Sequence, residues 1–198
     1  MGILLVAQIV EKLWGMALRD FEKQEIFRSL GMKDSSLGLG GRRISELVSC
    51  APAPGTDPAD DARFGPNTLY SRDMGCPWGG MHSTTSDIAT LLQTVSRRRR
   101  APRQTRFQPS HGESDDIGPE CGRRPRGDLG GRLGARAWNA FGDLVSEDAF
   151  GHVGATGTMA WADPATQLVC VILTNRPYSV DDGRFLRLVS NAVAASVQ

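Results

Sequence analysis

Apolar residues recur every three or four positions near both ends of the chain, and this spacing predicts amphipathic helices. In the first of these helices the predicted apolar face is Val6, Val10, Leu13, Trp14, Ala17 and Phe21. Gly15 is able to break that helix in two, and Gly31 is placed to cap the end of the helical region. Glycine, proline, aspartate and serine are frequent from residue 37 to residue 80, so that stretch is expected to be mostly loop.

Two further helices are predicted on the C-terminal side of this loop region. One follows residues 83–87, where we interpret Ser83 as the helix cap, and its apolar positions are Ile88, Leu91, Leu92 and Val95. The other is the final helix, which Asp181 and Asp182 can cap. Its predicted apolar face is Phe185, Leu188, Val189, Ala192 and Val193.

Three short segments with high β-propensity predict strands at residues 150–154, 158–162 and 168–174. Asp163 and Pro164 begin a turn between the second and third strands, which favours an antiparallel hairpin. Helices at both ends and an antiparallel sheet between them predict an α+β fold in which helices flank the sheet.

Residues 97–136 differ from the rest of the chain in composition, because they hold eleven arginines, five acidic residues and few apolar side chains. Such a segment cannot bury enough apolar surface to offset its conformational entropy, so we expect it to be disordered or foreign to the domain. Two origins stay open: a variable insertion, or a stretch translated out of frame from GC-rich DNA. The lack of any hydrophobic period favours the second.

Composition removes several classes of function. The formal net charge is +1, which gives no overall attraction to nucleic acid or to an acidic membrane. Only three of the 23 basic residues are lysines, and the residues before them are Glu11, Glu22 and Met32, so there is no P-loop. The chain has no Gly-x-Ser-x-Gly and no His-Glu-x-x-His, and its four cysteines are scattered. We therefore expect no metal and no cofactor.

The C-terminal third carries a resemblance to a known family. The segments Phe-Gly-His-Val-Gly-Ala-Thr-Gly-Thr from Phe150, Trp-Ala-Asp-Pro from Trp161 and Thr-Asn-Arg from Thr174 resemble the beta-lactamase-related family. Two earlier blocks resemble it in the same order, one over residues 9–32 and one over residues 77–87. This family embraces serine beta-lactamases, penicillin-binding DD-peptidases and related esterases.

The resemblance implies a set of site residues. His152, with Val153 and Gly154, matches the family's Lys-Thr-Gly or His-x-Gly triplet, on the strand that walls the active site. His152 would bind a substrate carboxylate or support proton transfer, and the backbone N–H of Ala155 would supply half of an oxyanion hole. The resemblance also implies substrate contacts, and these fall on Trp78, Gly79, Gly80, Val153 and Thr156. Judged from the triplet alone, a purely structural interpretation fits equally well: His152 caps a strand, and the glycines shape the turn that follows.

The chain departs from the family at the nucleophile. The family needs a serine three residues before a lysine. In this chain the residues three positions before the lysines are Ile9, Asp20 and Leu30. Tyr-x-Asn and Ser-x-Asn are absent as well. We therefore expect one incomplete domain over residues 1–198, the C-terminal part of a serine hydrolase, which cannot acylate alone.

Alternative functions stay open beside a small-molecule acyl substrate. One is a non-catalytic remnant that binds a partner or associates with itself through exposed apolar surface. Another is nucleic-acid binding through Arg97–Arg100 and residues 123–127, which Phe107 alone supports with an aromatic ring. The apolar start of the chain is too short to cross a bilayer and has no basic leader, so we expect no membrane partner. The sequence assigns no compartment.

Overall fold

A computed structural model describes residues 2–100 and 140–197, except for the side chains of residues 98–100. Its α-helices are α1 Gly2–Trp14, α2 Leu18–Phe21, α3 Arg28–Leu30, α4 Pro58–Phe64, α5 Leu69–Met74, α6 Thr85–Arg100 and α7 Arg184–Ala195. Its strands are β1 Ser36–Leu37, β2 Met81–His82, β3 Phe150–Gly154, β4 Thr158–Asp163 and β5 Leu168–Leu173. A π-helix at Glu22–Phe27 joins α2 to α3, and short 3₁₀ helices lie at Ile44–Glu46 and Tyr178–Val180.

The main sheet has three antiparallel strands in the order β3-β4-β5. Its register pairs His152 with Ala160 and Trp161 with Cys170. The α+β class, the three strands and the hairpin predicted from the sequence are confirmed. The hairpin turn ends at Gln167, which has a positive φ of 63°.

The two faces of this sheet are covered by different helices, because successive residues of a strand point to opposite sides. Met159, Trp161 and Cys170 form one buried cluster with Leu186 of α7. Phe150 and Ala162 form the other with Leu92 of α6. Both faces of β5 pack against these clusters, which explains why the strand is apolar.

Buried polar groups in this region all have partners that fix the loops around the sheet. The indole Nε1–H of Trp161 donates to the Ser190 hydroxyl at 3.0 Å, and that hydroxyl donates to the Phe141 carbonyl. Burial by itself would raise the pKa of Asp163, but hydrogen bonds from the Ser146 hydroxyl and from nearby backbone N–H groups outweigh burial and lower that pKa. Burial raises the pKa of the Cys170 thiol.

Helix α1 is largely exposed. Ala7 is its one buried residue, and the large apolar side chains that it leaves exposed are Ile3, Leu4, Leu5, Val6, Ile9, Leu13 and Trp14. The face predicted from the sequence is therefore wrong for Val6, Leu13 and Trp14, and Ala17, which lies beyond α1, is exposed as well. The reason is that α1 is apolar on nearly all sides, so periodicity cannot select the side that packs. Gly15 and Gly31 do end helical segments, both with positive φ.

The region predicted as mostly loop contains more regular structure than expected. Asp57 caps α4 by accepting from the N–H groups of Ala59 and Asp60, with Pro58 at the first helical position. Thr68 caps α5 in the same way. Strands β1 and β2 pair with each other and form a separate two-stranded sheet.

Three predictions about helix ends and faces are wrong. Thr84, not Ser83, caps α6, since its hydroxyl accepts from the Asp87 N–H at 3.3 Å, while the Ser83 hydroxyl bonds that of Ser35. Gly183, not an aspartate, is the cap of α7. In α7 the buried residues are Leu186, Ser190 and Ala194, whereas Phe185 and Leu188 of the predicted face are exposed.

Part of the arginine-rich segment belongs to a helix, because α6 continues through Arg100. Residues 101–136 of that segment lie outside the described residues. Within the described ranges, no helix is both long and apolar enough to cross a membrane.

Candidate active site

Strand β3 fixes the side chains of His152 and Val153 on opposite faces of the sheet. His152 lies opposite Ala160 in the register, on the face that α6 covers further along, and it is exposed. Val153 lies opposite Met159 and packs against the cluster under α7. Of this pair, His152 is thus the side chain available to a ligand, and Val153 is available only through its backbone.

Among the described strands, β3 pairs with β4 alone and is the edge strand of the sheet. Edge N–H and C=O groups of a strand can pair with an extended peptide or a peptide-like ligand. His152 is at the middle of this edge strand and Gly154 is at its end. A Cβ at Gly154 would overlap the Thr158 hydroxyl, so a side chain there has no room.

A tight turn over residues 154–157 connects β3 to β4. The Gly157 N–H donates to the Gly154 carbonyl at 3.0 Å. Gly157 has a φ of +84°, and a Cβ at this position would overlap the Arg176 carbonyl oxygen, so this turn requires glycine. Ala155 is exposed at the tip, and Thr156 is half-buried.

The loop at residues 78–80 forms a second group of predicted site residues. Trp78 is 60% exposed and Gly79 is exposed as well, whereas Gly80 is buried. The carbonyl of Gly80 accepts from the Gly38 N–H at 2.9 Å, and a Cβ at Gly80 would overlap the Cys76 backbone nitrogen. Trp78 therefore offers an aromatic surface on a loop whose backbone is held in place.

His82 follows this loop in β2 and has a defined hydrogen bond. Its Nε2 lies 3.0 Å from the Arg72 carbonyl oxygen. Burial lowers the pKa of His82, and the charges of Arg72 and Arg42 act in the same direction, although the bond to the Arg72 carbonyl opposes them. The hydroxyl of Ser83, the residue after His82, bonds the Ser35 hydroxyl and not the His82 imidazole. His82 and Ser83 therefore do not form a hydrogen-bonded pair.

The predicted site residues thus form two groups: His152 to Thr156 on the sheet, and Trp78 to Gly80 on the loop. Neither core cluster in the described part of the chain contains residues of both groups. Sequence reasoning assigned no role to Asn67, Arg72 or Asn175, whose side chains donate to backbone carbonyls of residues 48–50. Asn175 was within the quoted Thr-Asn-Arg motif, and that motif was the one signal that could have identified it.

The described residues contain no group of three or more His, Cys, Asp or Glu side chains placed to hold a metal ion. Cys50, Cys76 and Cys170 are free thiols, and Cys170 is buried. At the sheet, the groups that can bind a ligand or take part in a reaction are therefore the His152 imidazole and the backbone of β3 and its turn.

The model of the beta-lactamase family matches residues 1–194. An N-acetylmuramyl-L-alanine amidase of Bacillus subtilis (strain 168) is 27% identical over 194 residues, which are 90% of this chain and 44% of the relative. A protein of Escherichia coli (strain K12) named "Putative D-alanyl-D-alanine carboxypeptidase" is 28% identical over 202 residues, with 89% and 44% covered. The chain therefore spans less than half the length of either relative.

Proposed function

The chain belongs to the beta-lactamase family of serine hydrolases, and on that premise we propose that residues 150–157 form one wall of an acyl-transfer site. The observation that carries this proposal is the exposed His152 on the edge strand of the described sheet, two residues before a turn that presents Ala155. A cationic or hydrogen-bonding side chain beside backbone N–H donors is a suitable environment for a carboxylate and for a developing oxyanion.

We propose the following roles for these residues. The imidazole of His152 binds the carboxylate of the substrate when protonated, or donates a hydrogen bond to it when neutral. The N–H of Ala155 faces the acyl oxygen as one donor of an oxyanion hole. The β3 edge binds the extended part of the substrate by backbone hydrogen bonds, and Trp78 supplies apolar contact.

The proposed substrate class is a small acyl compound that ends in a carboxylate: a D-alanyl peptide, a β-lactam or a related ester. The names of the two relatives support this choice, since one refers to D-alanyl-D-alanine and the other to a muramyl-L-alanine bond. We propose further that the 198 residues alone do not form an acyl-enzyme, because they contain neither Ser-x-x-Lys nor Tyr-x-Asn.

Two measurements test this proposal. Intact-mass analysis after incubation with benzylpenicillin is expected to show no covalent adduct, and an adduct would contradict the absence of acylation. Titration with N-acetyl-D-alanine, followed by amide chemical shifts, is expected to move the signals of residues 152–156. Changing His152→Asn should weaken this binding roughly tenfold, the usual effect of losing one charge-assisted hydrogen bond.

A matched control for His152→Asn is Arg184→Gln, which removes one basic group from an exposed position at the start of α7. This control should leave the affinity for N-acetyl-D-alanine unchanged. Equal weakening in the two variants would show that the probe responds only to overall charge, and would overturn the role of His152.

A second candidate function is non-catalytic association between copies of the chain. The observation that favours it is the row of exposed apolar side chains on α1, among them Leu5, Ile9 and Leu13. Apolar surface of this extent commonly mediates protein association.

A further inference from the structure

We propose that residues 174–178, here called the connector, are the positioning element of the proposed acyl-transfer site. This inference rests on the proposed function and names residues to which that function gave no role. The connector follows β5, binds the turn at residues 154–157 on one side, and binds a loop at residues 49–51 on the other.

On the turn side, three hydrogen bonds join the connector to the backbone. The Thr174 hydroxyl donates to the Gly157 carbonyl at 2.6 Å, and the Thr174 N–H donates to the same oxygen at 3.2 Å. The Tyr178 N–H donates to the Ala155 carbonyl at 2.9 Å. Because Gly157 has no side chain, the Arg176 carbonyl can lie directly against it.

The N–H of Ala155 shares a peptide unit with the Gly154 carbonyl, which accepts from the Gly157 N–H at 3.0 Å. Gly157 is in turn held by Thr174, so the connector supports the turn that carries this N–H. Gly154 is also held by its place in β3, so the sheet helps to fix the same peptide unit. The bond from Tyr178 fixes the peptide unit after Ala155. With both units held, the backbone dihedral angles of this exposed residue are determined, and an oxyanion donor must be held in this way before substrate binds.

On the loop side, Asn175 makes two hydrogen bonds across 126 and 124 positions of sequence. Its side-chain Nδ2 donates to the Ser49 carbonyl at 3.1 Å. Its backbone carbonyl accepts from the Ala51 N–H at 2.9 Å. The connector thus attaches the C-terminal sheet to the loop region of the N-terminal half.

Hydrogen bonds continue from this loop to the neighbourhood of Trp78. The side chain of Asn67 accepts from the Cys50 N–H at 2.8 Å and donates to the Cys50 carbonyl at 2.7 Å. Arg72 donates to Asn67 Oδ1 at 3.0 Å, and its carbonyl bonds His82 Nε2 at 3.0 Å. His82 lies two residues after Gly80, so hydrogen bonds and the short stretches of chain between them connect the two groups of site residues.

The consequence is that Thr174 and Asn175 hold the turn and the loop in one arrangement without touching substrate themselves. Both are positioning residues. Contiguity of hydrogen bonds does not by itself establish coupling, so the inference requires a measurement at one group after a change at the other.

The experiment uses four variants of the ¹⁵N-labelled full chain. Thr174→Val keeps the shape of the side chain and removes the hydroxyl bond to Gly157, whereas Thr174→Ser keeps that hydroxyl. Asn175→Ala removes the bond to Ser49. Arg176→Gln is the matched control in the same segment, because the exposed Arg176 side chain pairs, among the described contacts, only with the Asp181 carboxylate at 3.7 Å.

Thr174→Val is expected to shift the amide signals of residues 155–157 and to speed their hydrogen exchange, with Thr174→Ser and Arg176→Gln close to the parent. Asn175→Ala is expected to shift signals at Cys50 and Asn67 and also at Ala155 and Gly157. Shifts confined to residues 49–51 in Asn175→Ala, or equal effects of Thr174→Val and Arg176→Gln, would overturn the inference.

Titration with N-acetyl-D-alanine then separates this inference from the proposed function. Thr174→Val and Asn175→Ala should each weaken binding of this probe by roughly three- to tenfold, the effect of one lost hydrogen bond, while both controls bind as the parent does. If the parent chain binds no probe, the proposed function fails, but the amide signals still decide whether the connector positions the turn. If the parent binds and the variants bind equally well, the connector fails alone.

Discussion

The C-terminal sheet and the N-terminal helix α1 are both rich in apolar residues, but they differ in what those residues contact. In the sheet, Trp161 and Ala162 are completely buried because α7 covers one face and α6 the other. In α1, one residue is buried and seven large apolar side chains are exposed. Apolar residues therefore stabilise the fold only where another helix or strand packs against them and removes their surface from water.

The sharpest test of this difference compares the same substitution in both regions. Trp161→Ala should lower the free energy of unfolding by about 3–5 kcal/mol, because it leaves a cavity and removes the partner of Ser190. Trp14→Ala should cost less than about 1.5 kcal/mol, since Trp14 is 52% exposed and makes an edge contact with Phe21. Urea denaturation followed by far-UV circular dichroism measures both. Equal losses would show that α1 is packed in solution.

A glycine pair tests whether the turn beside the sheet is as constrained as its geometry indicates. Gly157→Ala should destabilise the chain by about 2 kcal/mol or more, because the new Cβ meets the Arg176 carbonyl and the φ of +84° is strained for alanine. Gly79→Ala should change stability by less than about 0.5 kcal/mol, since a Cβ there meets nothing within 4 Å. Urea midpoints give both values, and a tolerated Gly157→Ala would contradict the described contact.

Association of the chain tests the fate of the exposed face of α1. Ile9→Lys should raise the dissociation constant of self-association about tenfold or more, because Ile9 is 57% exposed and its burial in a complex would be lost. Gln8→Lys adds the same charge at an exposed polar position and should leave association unchanged. Sedimentation velocity over a range of concentrations measures both. A parent chain that is monomeric throughout this range would contradict the second candidate function.

The smallest expected effect is a pH dependence that arises outside the sheet. Burial lowers the pKa of His82 from its ordinary value of 6.5, so the folded state binds this proton less tightly than the unfolded state does. Stability should therefore fall as the pH drops below about 6.5, and the loss should end at the lower pKa of the folded state.

The matched variants for this pH dependence are His82→Gln and His152→Gln. In the parent chain the urea midpoint should fall from pH 7.5 to pH 5, and in His82→Gln this slope of midpoint against pH should disappear. The slope should remain in His152→Gln, because His82 is still present. A slope that survives in His82→Gln would assign the titration to another group.

The sheet could be predicted from the sequence because its information is local. High β-propensity and the turn at Asp163 place β3, β4 and β5 close to their observed bounds. The packing face of α7 could not be predicted in this way. Ser190 lies at the centre of the buried face because it bonds Trp161 and Phe141, and a search for apolar periodicity treats serine as exposed.

The candidate site was predictable to a similar extent. His152 and the turn after it are marked by the resemblance, which the family match confirms at the level of the family. The roles of Thr174 and Asn175 depend on hydrogen bonds to backbone groups far away in sequence. The Thr-Asn-Arg motif marks these residues in the sequence, but no local pattern encodes their partners, so their contacts are known only from the fold.

The turn between β4 and β5 has a consequence for changes in chain length. Residues on β5 alternate between the two clusters, so a shift by one position would exchange the neighbours of every side chain on that strand. Gln167, with its positive φ, closes the turn at one defined length. Insertion or deletion of a single residue at 164–167 would therefore turn Cys170 toward α6 and Val171 toward α7. Substitutions at the same positions leave the register of the strand unchanged.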